Sequence, residues 1–226
     1  MADQTAKLQW RDGVPIATAF DDPYYSLDNG VAETTHVFLT GNDLPDRFGG
    51  DFQIAELGFG TGLNLLVAWQ AWDAAGRPGS LCFTSFEAFP MAKDDTAMAL
   101  AHFPQLAAYA RQLLDSWAPD GGAIQFEDGP RLEVITGDAR VTLPLWEGRA
   151  DAWFLDGFSP AKNPELWQAD LLMAVGQHTT PGGTAATYSA AGRIRRSLSD
   201  AGFEVTRHPG FGRKRHMTRA RKPDAE

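Results

Sequence analysis

The sequence predicts an α/β fold: a mostly parallel sheet between layers of helices, with an antiparallel C-terminal strand and a small N-terminal extension. Three observations lead there. Residues 52–72, FQIAELGFGTGLNLLVAWQAW, place an apolar run before Gly58, Gly60 and Gly62 and a second apolar series, Leu63, Leu66, Val67 and Trp69, after them. That is a buried strand, a glycine turn and a helix. Later apolar runs, LCFTSFE, RLEVIT and ADAWFL, finish at or just before an acidic residue (Glu87, Asp138, Asp156). Last, FEVTRHPG and KRHMTRA read as an antiparallel pair.

In chain order, residues 1–50 form the extension, 51–222 the main domain and 223–226 a tail. Leu8-Gln9-Trp10 and Val14-Pro15-Ile16 flank an Asp12-Gly13 turn, a short hairpin. FDDPYYSLDNG is rich in turn formers, and VAETTHVFLTGN is expected to be a helix closed by Gly41 or Asn42. Such a segment can cover the open carboxyl edge of the sheet; Tyr24 and Tyr25, taken alone, read as packing residues. Past Glu87, the helical spacing of Leu106, Tyr109, Ala110, Leu113, Leu114 and Trp117 marks a core face. AIQFEDGPRLEVITGDA predicts a hairpin ending at Gly137-Asp138-Ala139. After the strand at Ala152 to Leu155, Asn163 is placed as a helix cap, with Pro164 and Glu165 in the first turn. Pro181-Gly182-Gly183 leads into the strand TAATYS, and a helix from Ala190 to Ala201 stops at Gly202.

Composition excludes several classes. Hydrophobic residues make up 43% and charged residues 22% of the 226, ordinary for a globular protein. No run is long enough for a membrane span and the opening residues lack the pattern of a signal peptide, so a cytoplasmic protein is expected. Cys82 is the single cysteine, and its apolar strand marks an inert thiol; the five histidines lack metal-ligand spacing, so no metal is expected. The net charge of −9 is uneven: residues 193–222 sum to +8 and residues 1–192 to −15. The basic end is the part suited to a polyanion.

The strand ends carry the chemistry. A glycine turn lets the backbone approach a ligand closely beside the unpaired N–H groups of a helix start. Dinucleotide sites space their glycines as G-x-G-x-x-G, whereas Gly58, Gly60 and Gly62 alternate behind Glu56. This E-L-G-x-G-x-G form resembles the first motif of class I S-adenosylmethionine methyltransferases, a Rossmann-like fold. A carboxylate at Glu56 can accept from the cofactor's ammonium group but would oppose a pyrophosphate. At the second strand end, the two oxygens of Glu87 match a ribose diol. Asp138 can accept from an adenine amino group beside a neighbouring N–H. Asp156, before Gly157, Phe158 and Pro160, stands where many amino-group methyltransferases hold their nucleophile.

ELGFGTGLN, FLDGFSPAKNPELW, GFGRKR, FDDPYYS and AETTHVFLTGNDLPDRF together resemble the MnmD family of bacterial tRNA methyltransferases, which also occurs as the amino-terminal half of the bifunctional MnmC proteins. The resemblance spans nearly the whole chain. It implies methyl transfer from S-adenosylmethionine to the aminomethyl nitrogen of 5-aminomethyl-2-thiouridine at the wobble position of tRNA, with the anticodon stem-loop as partner. It further implies cofactor contacts at Glu56, Gly58, Phe59, Gly60, Gly62, Asn64, Glu87, Asp138, Ala139 and Asp156. Substrate contacts are implied at Tyr25, Phe158, Lys162, Arg193, Arg213 and Lys214, with catalysis at Asp156. Pro23, Tyr25 and His216 depart from the family pattern, which bears on the substrate loop. A second glycine-rich nucleotide motif is absent, so a separate flavin-dependent enzyme is expected to supply the aminomethyl precursor. Two alternatives stay open: methylation of another amine, and a catalytically silent RNA-binding module.

Overall fold

The computed structural model describes residues 5–26 and 29–225; Leu27 and Asp28 of the turn-rich segment, and Glu226 of the expected tail, lie outside them. Two strands, β1 (Leu8–Arg11) and β2 (Val14–Ala17), form the expected hairpin, with Asp12 and Gly13 both left-handed as its turn requires. β3 (Asp22–Pro23) adds a third antiparallel strand.

The helical stretch that follows is more varied than its sequence suggests. α1 (Gly30–Thr34), capped by the Asn29 side chain, passes into wider π turns over Thr35–Leu39 and a tight 3-10 turn over Thr40–Asn42. It closes at left-handed Asp43 rather than at Gly41 or Asn42. Asn42 is instead a buried clamp. Its amide donates to the carbonyls of Phe38 (2.9 Å) and Trp153 (3.3 Å), and its oxygen accepts from Thr184 (2.6 Å).

The main sheet contains β4 (Asp51–Leu57), β5 (Ser80–Glu87), β6 (Gly122–Gln125), β7 (Arg131–Thr136), β8 (Ala150–Leu155), β9 (Thr179–Thr187), β10 (Glu204–Pro209) and β11 (His216–Arg221). Their spatial order is β10-β11-β9-β8-β4-β5-β7-β6. The pairs β9–β8, β8–β4, β4–β5 and β5–β7 are parallel, whereas β11 runs antiparallel to both β9 and β10, and β6 to β7. The chain leaves β4 toward β5 on one side and returns to β8 on the other. A crevice opens at such a reversal, beyond the carboxyl ends of the strands.

Both faces of the sheet are covered, which explains the nearly continuous apolar strands. Ala152 and Phe154 of β8 enter one core with α2 (Leu63–Ala74) and α4 (Ala107–Ser116), while Trp153 and Leu155 enter a second with α6 (Ala169–Gln177) and α7 (Gly192–Asp200). Every residue from Leu63 to Trp69 is buried, because α2 lies between the sheet and the helical extension.

Several local readings are corrected. A helix, α3 (Lys93–Leu100), precedes the one expected around Leu106, and Tyr109 and Leu114 are only partly buried. α5 (Ala139–Thr142) follows β7. Asn163 makes no side-chain cap, and Pro164–Trp167 is a 3-10 turn before α6 begins. Pro181, Gly182 and Gly183 lie inside β9, where its register with β8 shifts between Ala150 and Ala152. The irregularity absorbs a proline that has no N–H for a regular ladder.

Asn42→Ala should therefore lower unfolding free energy by roughly 2–4 kcal/mol, because it removes the acceptor of the Thr184 hydroxyl proton, whose oxygen keeps only Arg47, and the side-chain donor to two carbonyls. Urea titration checks this: the midpoint should fall with little change in slope.

Candidate active site

The carboxyl ends of β4, β5, β7 and β8 open onto a cavity of roughly 1180 Å³, roofed by the N-terminal extension and the β10–β11 loop. Gly58 continues the ladder of β4 by donating to the Phe86 carbonyl (2.9 Å), and the chain then turns through Gly60 at φ 55° and Gly62 at φ 78°. The Gly60 N–H donates to one oxygen of Glu87 (3.0 Å) and the Phe89 N–H to the other (2.7 Å). Burial raises the pKa of Glu87, opposed by these backbone donors. Phe59 stacks on Trp117 with ring centroids 4.9 Å apart, so its ring belongs to the core.

At the centre stands Asn64, in the first turn of α2. Its amide nitrogen donates to Glu56 (2.8 Å) and to Asp156 (2.8 Å), while its oxygen accepts from the Thr34 hydroxyl (2.8 Å). Ser85 donates to the other oxygen of Glu56 (2.7 Å). Burial pushes Glu56 well above the usual carboxylate range; the Asn64 and Ser85 bonds oppose the shift and the nearby Asp156 and Glu87 charges add to it. Asp156 also accepts from the Gly157 N–H (2.8 Å). Burial raises its pKa to about 6, against the Asn64 and Gly157 bonds and the positive charge of Lys214.

An aromatic wall rises beside Asp156. Phe158 stacks on Phe20 at 4.7 Å and meets Tyr24 edge-on at 5.0 Å, and the Tyr188 hydroxyl donates to the Gly157 carbonyl (2.7 Å). The extension is tied down on this side. Asp22 accepts from the Ser159 N–H (2.8 Å) and pairs with Lys162 (3.3 Å), which also bonds the Asp21 carbonyl.

Of the residues singled out from sequence, Tyr25, Gly58, Phe59, Gly60, Asn64, Glu87, Asp138, Ala139, Asp156, Phe158, Arg213 and Lys214 border this cavity. Glu56, Gly62, Lys162 and Arg193 do not. Glu56 is fully buried beneath Asn64, so it has no direct access to a bound ammonium group. Lys162 serves as a strut to the extension, and Arg193 donates to the Pro160 carbonyl (2.6 Å). Asp138 is not a free acceptor: both its oxygens bond Arg140, which lowers its pKa. The Tyr25 hydroxyl is directed to the carbonyls of Ala99 and Gly13 (3.3 and 3.5 Å). Tyr24, by contrast, leans over Gly60, where an added Cβ would lie 3.1 Å from its ring. Among the described residues no group of three or more His, Cys, Asp or Glu is placed to hold a metal. Among the described residues no helix is long and apolar enough to cross a membrane. Cys82 is partly buried, which raises the pKa of its thiol.

Residues 104–223, more than half of the chain, match a family described as S-adenosyl-L-methionine-dependent methyltransferases. The chain belongs to that family. The match begins beyond the glycine turn, whose place in this methyltransferase rests on the geometry above. The chain is similar to the bifunctional protein MnmC of tRNA 5-methylaminomethyl-2-thiouridine biosynthesis from Caulobacter vibrioides, at 45% identity over 96% of the chain and 38% of that protein. Its counterpart in Chromobacterium violaceum is 44% identical, with 100% of the chain and 36% of that protein covered. The chain thus spans little more than a third of these curated relatives. The crystal structure of MNMC2 from Aquifex aeolicus superimposes with a TM-score of 0.71 at 27% identity, covering 94% of the chain and 69% of that structure. The methyltransferase has the class I fold of its family.

S-adenosylmethionine carries an ammonium, a sulfonium and a ribose diol. The residues present suit it: the cavity borders six carboxylates against four cationic side chains, and two of the cations, Arg140 and Lys214, are already paired with Asp138 and Glu33. Glu87 brings two oxygens to the end of β5, and the glycine turn leaves the β4 end open. Sequence reasoning missed Phe20, Asp22, Glu33, Thr34 and Tyr188. The run of aromatic and acidic residues in FDDPYY was a legible signal for Phe20 and Asp22 only.

Folding raises the Asp156 pKa, so the folded chain holds the proton more tightly than the unfolded one. Stability is then lost as pH rises from about 4 to about 6, by up to about 3 kcal/mol, and is not regained above. Denaturant titrations of the wild type and Asp156→Asn across that window should diverge in this sense, with the wild type losing ground.

Proposed function

We propose that this methyltransferase transfers a methyl group to the aminomethyl nitrogen of 5-aminomethyl-2-thiouridine at the wobble position of tRNA, in the cytoplasm. The observation that carries the reading is the closeness of two loops. A Cβ at Gly58, in the glycine turn, would lie 3.5 Å from the backbone of Gly157, beside Asp156 and the Phe158 wall. A methyl donor held by the turn and an acceptor held by the wall would therefore be neighbours. The names of the curated relatives, which specify 5-methylaminomethyl-2-thiouridine biosynthesis, support the substrate. A separate flavin-dependent enzyme would supply the aminomethyl precursor.

When bound, S-adenosylmethionine supplies an electrophilic methyl group on its sulfonium. Glu87 would hold the ribose hydroxyls, the Gly58 to Gly60 backbone the amino-acid end, and Ala139 the adenine side, with Asp138 available to the adenine amino group only if Arg140 releases it. The acceptor is an alkyl amine with an ordinary pKa of about 10, nucleophilic only when neutral. Asp156 would accept one amine hydrogen and so aim the lone pair. With a pKa of about 6 it is mostly ionised at neutral pH, yet far too weak a base to strip an ammonium ion alone. It therefore orients the neutral amine and hands the released proton to water, while the wall of Phe20, Tyr24 and Phe158 packs against the base and limits solvent.

Nucleoside analysis of tRNA incubated with the protein and labelled S-adenosylmethionine should show label in 5-methylaminomethyl-2-thiouridine; label elsewhere, or none, would refute the substrate. Single-turnover rates should rise through about pH 6 as Asp156 ionises and continue upward until the amine is neutral. Asp156→Asn should slow transfer by roughly 10²–10⁴ with cofactor binding retained. A rate within a few-fold of wild type would reassign Asp156 to loop structure.

The basic face of the chain carries exposed Arg196, Arg213 and Arg215. Arg213→Ala should weaken tRNA binding and reduce its log–log salt slope by roughly one unit, measured by fluorescence anisotropy, without changing cofactor affinity.

A further inference from the structure

Lys214 lies between Arg213 and Arg215 in the β10–β11 loop and, like them, is exposed, but its ammonium is engaged. Its ammonium pairs with Glu33 Oε1 at 2.7 Å and lies over the ring of Tyr188, 4.0 Å from the centroid. The Glu33 side chain is 14% exposed, so its carboxylate is largely cut off from water. The Tyr188 ring is held in place by its hydroxyl bond to the Gly157 carbonyl (2.7 Å). A mostly buried carboxylate beside a fixed aromatic face suits an alkylammonium ion. Here its occupant is a primary amine on a methylene, the same chemical group as an aminomethyl substituent.

We infer that Glu33 and Tyr188 form a docking subsite for a primary alkylammonium ligand, filled in this structure by the chain's own Lys214. The inference deepens the proposed function, resting on it for the identity of the natural amine. The subsite adjoins the reaction centre through three connections. Tyr188 bonds the residue next to Asp156; Glu33 precedes Thr34, which fixes Asn64 against Asp156; and Glu33, Thr34, Asn64, Asp156 and Tyr188 all border the same cavity as Phe158. Burial raises the pKa of Tyr188, and the charges of Asp156, Asp22 and Glu33 add to the shift, so the field at its hydroxyl is negative. Lys214 answers that negative field when no ligand does. An incoming aminomethyl base would displace it, freeing Lys214 on a loop that also carries Arg213 and Arg215. The incoming amine would then stand beside Asp156 before it loses its proton to water.

The test is binding of two nucleosides, 5-aminomethyluridine and uncharged 5-methyluridine, at neutral pH and low salt by calorimetry. Removing the internal competitor with Lys214→Ala should tighten 5-aminomethyluridine about tenfold over wild type and leave 5-methyluridine unchanged. Adding Glu33→Gln to that variant should abolish the gain. Cofactor binding, measured alongside, reports that each variant is folded; should the double variant fail that control, the comparison of the two nucleosides on Lys214→Ala decides alone. Equal or weaker binding of 5-aminomethyluridine by Lys214→Ala, or an equal gain for 5-methyluridine, would overturn the subsite. Nucleoside binding involves no methyl transfer, so this failure is separate from failure of the labelled-tRNA assay.

Discussion

The Asn64 side-chain amide is the constraint from which the rest of the site follows. One NH₂ group serves two carboxylates, Glu56 beneath it and Asp156 at the cavity, while Thr34 holds its oxygen. An amide has distinct donor and acceptor ends: the carboxylates take the NH₂ end, and the Thr34 hydroxyl, free to donate, takes the oxygen. With the opposite orientation an amide oxygen would face both carboxylates, and burial would make that repulsion severe. Thr34 comes from the N-terminal extension, Asn64 from the helix after the glycine turn and Asp156 from the end of β8. The Asn64 side chain thereby joins the roof, the helix after the glycine turn and the loop after β8.

That arrangement gathers more negative charge than the fold would choose for stability. Glu56, Glu87 and Asp156 all have raised pKa values, each chiefly because burial penalises the charged form. Such a cluster is tolerable where a cationic ligand offsets it. The same field explains why the cationic side chains near the acids are paired: Lys162 with Asp22, Lys214 with Glu33. The ion pairs also fasten the extension from two sides, so the roof is held where its aromatic residues meet Phe158.

The strands, the glycine turn and the acids at the strand ends were legible because each is a local pattern. Alternation of buried faces, positive φ at glycine and the end of an apolar run are all written within a few residues. Glu56 shows where local reading stops. Its position at the end of β4 was evident, but whether it meets a ligand or lies beneath Asn64 depends on an eight-residue separation folded back on itself. Lys214 is a sharper case. In sequence it is one of three adjacent basic residues, and only the approach of Glu33, 181 positions earlier, sets it apart from its neighbours.

By itself, then, the sequence determined the doubly wound architecture and the identity of the cavity's floor, since period, glycine spacing and strand-end acids are properties of neighbours along the chain. The tertiary structure alone decided the roof and the roles of individual charges. Phe20, Asp22, Glu33 and Thr34 reach the cavity because the extension folds across the carboxyl edge of the sheet, and Tyr188 because it follows β9 at that edge. The physical reason is that a charged side chain takes its role from its nearest partner and its exposure to water, and both are fixed by contacts between residues distant in sequence.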